Sequence, residues 1–427
     1  MQAVPTGIFT RQEQVRGDWN ITQNHQAMIR YTQDAWDNPA PNYASEGGLW
    51  GDDGFPTVDS DWSQPGKNLS ARLTSTFGPT AVNTFQFSYS NNRIYITDGI
   101  GADIKQNIIQ KIPTVFPGKK EHYAIFWSGA PINSLWNIAP WDNTHDIWSW
   151  KDDFNKTIGN HSLKFGGLYA WYTKDEDMFY EGVSPQFWGP VAGGAGLGGG
   201  WGDSRAPGNG TGGITNNLLA DLLLRDVWWA GGDEGSNKVR SKIGWQDIEV
   251  YFADTWRVKP RFTLDYGVRW SMLPPSYQRD YRMGNWIPSL WDPKIGTSDP
   301  LNGMIFPEQL SIPDKGIKGG TQNLRGMNVG KGLRNTSLNT VAPRLGFAFD
   351  PTGAGKWSIR GAFGFFYGRP DMTMPTGQMA GQPPFRSTLS WWAGRPLDYF
   401  PSDVPTAGVG LPGYSIDTNW KVQGSYQ

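Results

Sequence analysis

The chain has 427 residues, a nearly balanced charge (38 Lys and Arg against 39 Asp and Glu) and no cysteine. The balanced charge argues against nucleic acid as a partner, because phosphate binding needs a basic face. The missing thiols exclude disulfides and thiolate metal sites. With 55 glycines, 31 prolines and 23 tryptophans, the composition predicts many turns, few long helices and more aromatic surface than a soluble core needs.

The first twenty residues contain no apolar segment, so no signal peptide is predicted. No run in the chain approaches the roughly 18–20 apolar residues of a transmembrane helix. A protein of this sequence that lies in a membrane must therefore cross it as strands.

In chain order, five pairs of segments alternate with period two between apolar and polar residues, which is the pattern of strands with two different faces. Short turns join the two strands of each pair, whereas long connections at about 37–66, 97–145, 174–245 and 273–340 separate the pairs. One connection carries a predicted helix at 215–225, with Thr215 as its N-cap. The predicted hairpins lie at about 13–36, 67–96, 146–173, 248–272 and 341–367.

Short turns that alternate with long loops are typical of outer-membrane barrels, and about 9–11 residues are enough to cross the hydrocarbon at a tilt. We therefore predict an all-β fold: an antiparallel up-and-down transmembrane β-barrel segment of about ten strands with long extracellular loops. One face of the predicted strands carries large apolar residues and is expected to face lipid, whereas the other face mixes small and charged residues, such as Lys164, Arg269 and Arg360, as a water-filled lumen permits. The residues predicted to face lipid are Phe85, Phe87, Tyr89, Phe165, Tyr169, Trp171, Phe262, Leu264, Tyr266, Val268, Trp270, Phe347, Ile359, Phe363 and Phe365.

An alternative from another class is a soluble β-rich protein whose apolar strand faces form a core. Its tryptophan-rich loops, with Trp50, Trp127, Trp201 and Trp228 among them, would then stack on carbohydrate rings. Packing of the long loops onto one another is the simpler interpretation of each tryptophan.

No constellation in the sequence indicates an enzyme, a cofactor or a metal site. The stretch 194–199 matches G-x-G-x-x-G formally but lies in a glycine-rich loop, where a dinucleotide site has neither its strand nor its helix. The four histidines show no ligand spacing, and His161 is expected to be structural. The acidic runs 175–177 and 52–53 offer oxygen ligands for calcium, although solvated loop surface is the more common role.

Four segments resemble a known family. Residues 158–167 are similar to the G-x-H-x-L-K-F-G hairpin of Oar-like TonB-dependent receptors, and residues 254–270 to their D-x-W-R-V-x-P-R-L-T-L segment. Residues 341–351 with 359–367 resemble the A-P-R-L-G-F-A-Y-D-P and I-R-G-G-Y-G-I-F-Y strands, and 217–224 the N-x-L-A-D-F-L-L loop helix. These landmarks follow one another in family order.

The resemblance implies the outer membrane of a Gram-negative cell, a 22-stranded barrel around a plug, and energy from TonB. It implies outer-membrane lipid, the TonB system and an unknown small substrate as partners. Ten strands are fewer than half of 22, and no plug segment or signal peptide is recognised. We therefore expect residues 1–427 to form part of a TonB-dependent receptor barrel, which takes up a nutrient in the parent protein.

Overall fold

The computed structural model describes residues 9–39, 60–98, 116, 141–179, 183–188, 229–312, 317–318, 329–369, 373–393, 413–419 and 421–426. Twenty strands and one α-helix, α1 (Thr373–Ala380), lie in these ranges. The strands are β1 (Phe9–Thr22), β2 (His25–Pro39), β3 (Ser60–Ser63), β4 (Gly66–Phe77), β5 (Ala81–Asp98), β6 (Trp141–Ile158), β7 (His161–Phe179), β8 (Val183–Trp188), β9 (Trp229–Gly235), β10 (Val239–Lys259), β11 (Phe262–Met272), β12 (Tyr277–Gln278), β13 (Asn285–Trp286), β14 (Met304–Ile305), β15 (Ser311–Ile312), β16 (Ile317–Lys318), β17 (Val341–Phe349), β18 (Ile359–Gly368), β19 (Thr388–Ala393) and β20 (Gln423–Tyr426).

Thirteen strands form one antiparallel sheet, which we call the wall. Its order is β1-β2-β3-β5-β6-β7-β10-β11-β17-β18-β20, with β4 pairing with β2 and β5, and β12 pairing with β10. Neighbours in the wall follow one another up and down, so the predicted all-β architecture is confirmed. Within the described residues the sheet is open, since no pairing joins β1 to β20.

All five predicted hairpins occur in the wall, and most of their strands are longer than the sequence pattern indicated. β10, for example, begins at Val239 rather than near 248, and β7 runs on to Phe179. The prediction of a loop over 174–245 was therefore wrong at both ends, because the two strands stay paired beyond the alternating segment. The sequence pattern also missed β3, β12 and β20, and a small sheet of β8, β9 and β19. The predicted helix at 215–225 lies outside the described residues.

Tight turns join the long strands at one end of the wall. Gly159 closes the β6–β7 turn with φ of 55°, a left-handed conformation that glycine adopts without steric cost. After β17, the carboxylate of Asp350 accepts backbone hydrogen bonds from Thr352, Gly353 and Gly355 at 2.8–3.0 Å. These bonds to the charged form lower the pKa of Asp350, with the Gly355 amide as the largest cause.

The described hydrophobic clusters lie beside the wall and not within it. One contains Met283, Ile287, Ile305, Leu333 and Met379, and the other Met304, Phe306, Leu310 and Phe385. Both belong to a folded unit that we call the cap, formed by residues 273–312, 329–340, 373–387 and 413–419. The described part of the chain contains no helix of sufficient length and apolarity to span a membrane.

Candidate functional site

The register of the wall divides its side chains into two faces. Directly opposed residues share a face, and the pairs Phe154–Phe165, Phe165–Phe252 and Phe252–Val268 carry one face across four strands. The same parity continues into β5 on one side and β17 and β18 on the other. All fifteen residues that the sequence predicted to face lipid lie on this face, which we call the outer face. That lipid covers it stays a prediction.

The large apolar side chains of the outer face are not covered by any other described element. Phe165, Val250 and Phe363 are 45%, 50% and 50% exposed. A soluble sandwich would bury these side chains between two layers. The exposure instead leaves an apolar surface across seven strands, far larger than soluble monomers normally present.

Two stacked aromatic pairs mark the upper and lower borders of this surface. His161 stacks on Trp256 at 5.2 Å next to the tight turns, and Trp148 stacks on Trp171 at 5.0 Å further along the strands. We call these pairs the lower and the upper belt. Ten residues of β7 separate them, which is about 33 Å along the strand and about 23–27 Å in height at the usual tilt of barrel strands. An apolar band of about 25 Å is the height that a transmembrane barrel shows.

Two acidic residues on the outer face between the two belts have neutral hydrogen-bond donors. Asp152 accepts from the Asn83 amide at 2.8 Å. Asp254, whose side chain is nearly inaccessible, accepts from Tyr266 at 2.7 Å and lies 2.6 Å from His161 Nδ1. His161 opens β7 and holds this contact, in agreement with its predicted structural role. Each carboxylate is thereby kept within a local polar cluster, as an apolar surrounding requires.

The opposite, inner face is polar and carries ion pairs between neighbouring strands or along one strand. Lys151 pairs with Asp153 at 2.6 Å, and Arg269 pairs with Glu249 at 3.1 Å. The Tyr251 hydroxyl donates to Asp153 at 2.6 Å. Paired charged side chains of this kind are typical of a hydrated lumen, because charged groups are costly against lipid. The inner face therefore has the chemistry of an aqueous lumen.

The cap lies on the inner face at the end of the wall remote from the tight turns. Its helix α1 packs against β10, β12 and β7. Gln278 donates to Ser241 at 2.6 Å, and Arg369 donates to Asp247 and to the carbonyls of Gln246 and Pro274. Polar contacts of this kind hold the cap to the wall.

Arg334 stands in the interior of the cap, where it is almost fully buried. Its guanidinium donates to the Ser276 carbonyl at 2.9 Å and to the Thr376 hydroxyl at 3.2 Å. Burial lowers the pKa of Arg334 to about 10, with a smaller contribution from the nearby Arg369. No sequence pattern indicates this site, because its members are up to about a hundred residues apart.

One further candidate from the sequence now has a location. The acidic run at 175–177 lies in β7 and not in a loop, and its residues form ion pairs with Arg279, Lys174, Lys238 and Arg240. The structure shows no group of potential metal ligands in the ranges that it describes. The glycine-rich stretch 194–199, Asp52, Asp53 and the loop residues Trp50, Trp127, Trp201 and Trp228 lie outside those ranges.

The chain matches the model of the family described as "Outer membrane beta barrel domain" over residues 2–427. No curated protein sequence matches it. Among solved structures it is similar to the outer membrane transporter YddB from Escherichia coli, with 11% identity, a TM-score of 0.45, and coverage of 89% of this chain and 34% of YddB. The siderophore receptor PiuA from Acinetobacter baumannii matches with 11% identity, a TM-score of 0.41, and coverage of 98% of this chain and 47% of PiuA.

A third similar structure is FpvA from P. aeruginosa, bound to a heterologous pyoverdine–iron complex. It matches with 10% identity, a TM-score of 0.42, and coverage of 85% of this chain and 36% of FpvA. The chain therefore spans between about a third and a half of the length of these three structures.

Proposed function

The chain belongs to the outer-membrane β-barrel domain family, and from this premise we propose that it forms part of the wall of a barrel that takes up a nutrient across the outer membrane. The observation that carries the proposal is the division of the wall into an exposed aromatic outer face and a charged inner face. A wall with these two faces separates lipid from water. The soluble carbohydrate-binding alternative is disfavoured, because the outer face would leave such a protein without a core.

The finer proposal is that the parent protein is an Oar-like TonB-dependent receptor. It rests on the four sequence segments that resemble this family. Three of them, namely 158–167, 254–270 and the pair 341–351 with 359–367, lie in adjacent wall strands and their turns. A plug and the TonB system would then supply gating and energy. On this proposal residues 1–427 are a partial barrel domain.

The open edges of the wall support a larger barrel. β1 is an edge strand of fourteen residues, and among the described strands it pairs with β2 only. About half of those residues point an N–H and a C=O away from β2, and each such group costs several kcal/mol when it is left unpaired in hydrocarbon. The total is tens of kcal/mol, which exceeds the whole stability of a typical domain. The wall therefore needs hydrogen-bond partners along both edges when it lies in a membrane, and in a partial barrel domain further strands would supply them in the parent protein.

Uptake by a strain that lacks the gene tests the proposed function. We would supply labelled iron chelates, oligosaccharides and peptides one at a time to the deletion strain, to the complemented strain and to one with an empty vector. The proposal expects uptake of at least one solute to be lost, restored by the gene, and abolished by a protonophore. Unchanged uptake of every solute would contradict a role in uptake, whereas restored uptake that resists the protonophore would contradict the TonB-dependent class.

A further inference from the structure

A bay opens in the inner face of the wall between β6 and β18, with a cavity volume of about 1010 Å³. It lies in the half of the wall nearer the tight turns, away from the cap. Its lining contains five cationic residues: Lys151, Lys164, Arg269, Arg344 and Arg360.

The positive charge of the bay is only partly neutralised. The pairs Lys151–Asp153 and Arg269–Glu249 account for two of the five cations. In the part of the chain that the structure describes, Lys164, Arg344 and Arg360 make no ion pair. Asp265, the lining acid whose side chain lies on the inner face, accepts a hydrogen bond from Thr255 at 2.6 Å. The bay therefore keeps an excess of positive charge.

The floor of the bay consists of small residues. Lys164, Ala253, Gly267 and Arg344 lie opposite one another on four successive strands. Three steps of about 4.8 Å thus separate the backbones of Lys164 and Arg344, which is about 14 Å. At Gly346 in the same bay, an added Cβ would find its nearest neighbour 3.5 Å away, so the wall itself would accept a side chain there. The glycine leaves space that the packing of the wall does not require.

At one side of the bay a guanidinium group is held in a restricted orientation and can donate hydrogen bonds. The Arg344 guanidinium lies 4.9 Å from the centre of the Phe366 ring, and this stacking limits the orientations of its planar fork. Arg360 lies on the neighbouring strand, with its Nε donating to Ser358 and its other donors unused in the described residues. Guanidinium groups bind carboxylates and phosphates through two parallel hydrogen bonds.

We propose that the bay binds a small anionic solute that carries carboxylate or phosphate groups, and so selects for such solutes in the lumen. This inference rests on the proposed function in one respect, namely that the inner face lines a route for solutes, which the plug of the parent protein leaves open beside the bay. Lys164 at one side of the small residues and Arg344 with Arg360 at the other could bind the two ends of an anion of about the size of citrate or tripolyphosphate.

Calorimetric titration of the full chain in a zwitterionic detergent tests the bay, with citrate and tripolyphosphate as the probes. We expect at least one probe to bind, and the double variant R344Q/R360Q to weaken this binding at least tenfold. The matched control R16Q/R72Q removes the same charge from the inner face of β1 and β4, and it should change the affinity less than twofold. Gly346→Trp keeps every charge but fills the floor, and it should also weaken binding at least tenfold.

Several results would overturn the proposal. They are the absence of binding by both probes, an equal loss in R16Q/R72Q, or full binding in Gly346→Trp. Binding of a hexaglutamate peptide without binding of either probe would show that the bay accepts an acidic polypeptide instead of a small solute. If R344Q/R360Q does not fold, as judged by its circular dichroism, Lys164→Gln replaces it, with an expected loss of at least threefold.

The titration does not depend on transport, so the two proposals can fail separately. Binding in the bay together with unchanged uptake in the deletion strain would contradict the uptake function alone. Uptake of a solute together with an empty bay in the titration would contradict the anion site alone.

Discussion

Replacement of Val250 by arginine would test whether lipid covers the outer face. Val250 lies opposite Gly167, six residues of β7 above the lower belt and four below the upper belt. It is therefore about one residue, or about 3 Å, from the midpoint of the apolar band. An arginine on the lipid face costs a barrel about 2–4 kcal/mol at the bilayer midplane and about 0–1 kcal/mol near the interfaces. We expect Val250→Arg to lower the free energy of unfolding by about 2–4 kcal/mol, which is roughly a 30- to 1000-fold change in the unfolding equilibrium constant.

The assay is guanidinium unfolding of the chain in phosphatidylcholine vesicles, followed by tryptophan fluorescence. Leu168→Arg is the matched control, because Leu168 follows Gly167 on β7 but lies on the inner face, directly opposite Glu249. An arginine there lies in water between Glu249 on β10 and Lys151 on β6, so attraction and repulsion offset each other and we expect a change within about 1 kcal/mol. A cost for Leu168→Arg that equals or exceeds the cost for Val250→Arg would refute the assignment of the two faces.

Three further predictions concern single charges. Asp152→Asn should raise the free energy of unfolding in vesicles by about 1 kcal/mol, since it removes a charge from the outer face but keeps a hydrogen-bond acceptor. Its neighbour on the inner face should behave in the opposite way: Asp153→Asn should lower the free energy of unfolding by about 1 kcal/mol, because Lys151 and Tyr251 lose a charged acceptor. Arg369→Ala should destabilise the attachment of the cap by about 2–4 kcal/mol, because it leaves the largely buried carboxylate of Asp247 without its cationic partner. The measurement is hydrogen exchange, which should become faster over residues 273–287. The pKa of Asp350 is lowered in the folded state, so its contribution to stability is complete above about pH 4 and is lost as the pH falls through the folded value. The difference in unfolding midpoint between the wild type and Asp350→Asn should therefore shrink on acidification; a constant difference between pH 7 and pH 2 would contradict this.

Much of the wall could be predicted from the sequence, because alternation with period two is a local property of each strand. Phe262, Leu264, Tyr266, Val268 and Trp270 mark β11 without knowledge of its neighbours. The bounds of β7 and β10 could not be predicted, since their outer ends are held by pairing between strands and not by alternation.

The cap and the bay depend on contacts between distant segments, and this is why the sequence did not reveal them. The buried residues Met283, Ile305 and Met379 show no common period, and they meet only after the chain has folded back onto the wall. Lys164 was predicted to lie on the polar face, whereas Arg344 was not singled out. Their separation by two small residues, however, follows from the register across four strands.

The wall and the cap are stabilised by different means. The cap buries two apolar clusters, so its stability comes from the exclusion of water. The wall leaves its apolar side chains exposed on the outer face, and on the proposed function its stability comes from strand pairing and from lipid. Arg369 and Gln278 make polar contacts between the two units, and the fully buried Ile243 on the inner face of β10 lies directly opposite Gln278. Water can replace polar contacts at a net cost of about 0.5–1.5 kcal/mol for each hydrogen bond, while an apolar interface would oppose separation over its whole area. Separation of the cap from the wall would in addition break the pairing of β12 with β10, so the two units are not independent.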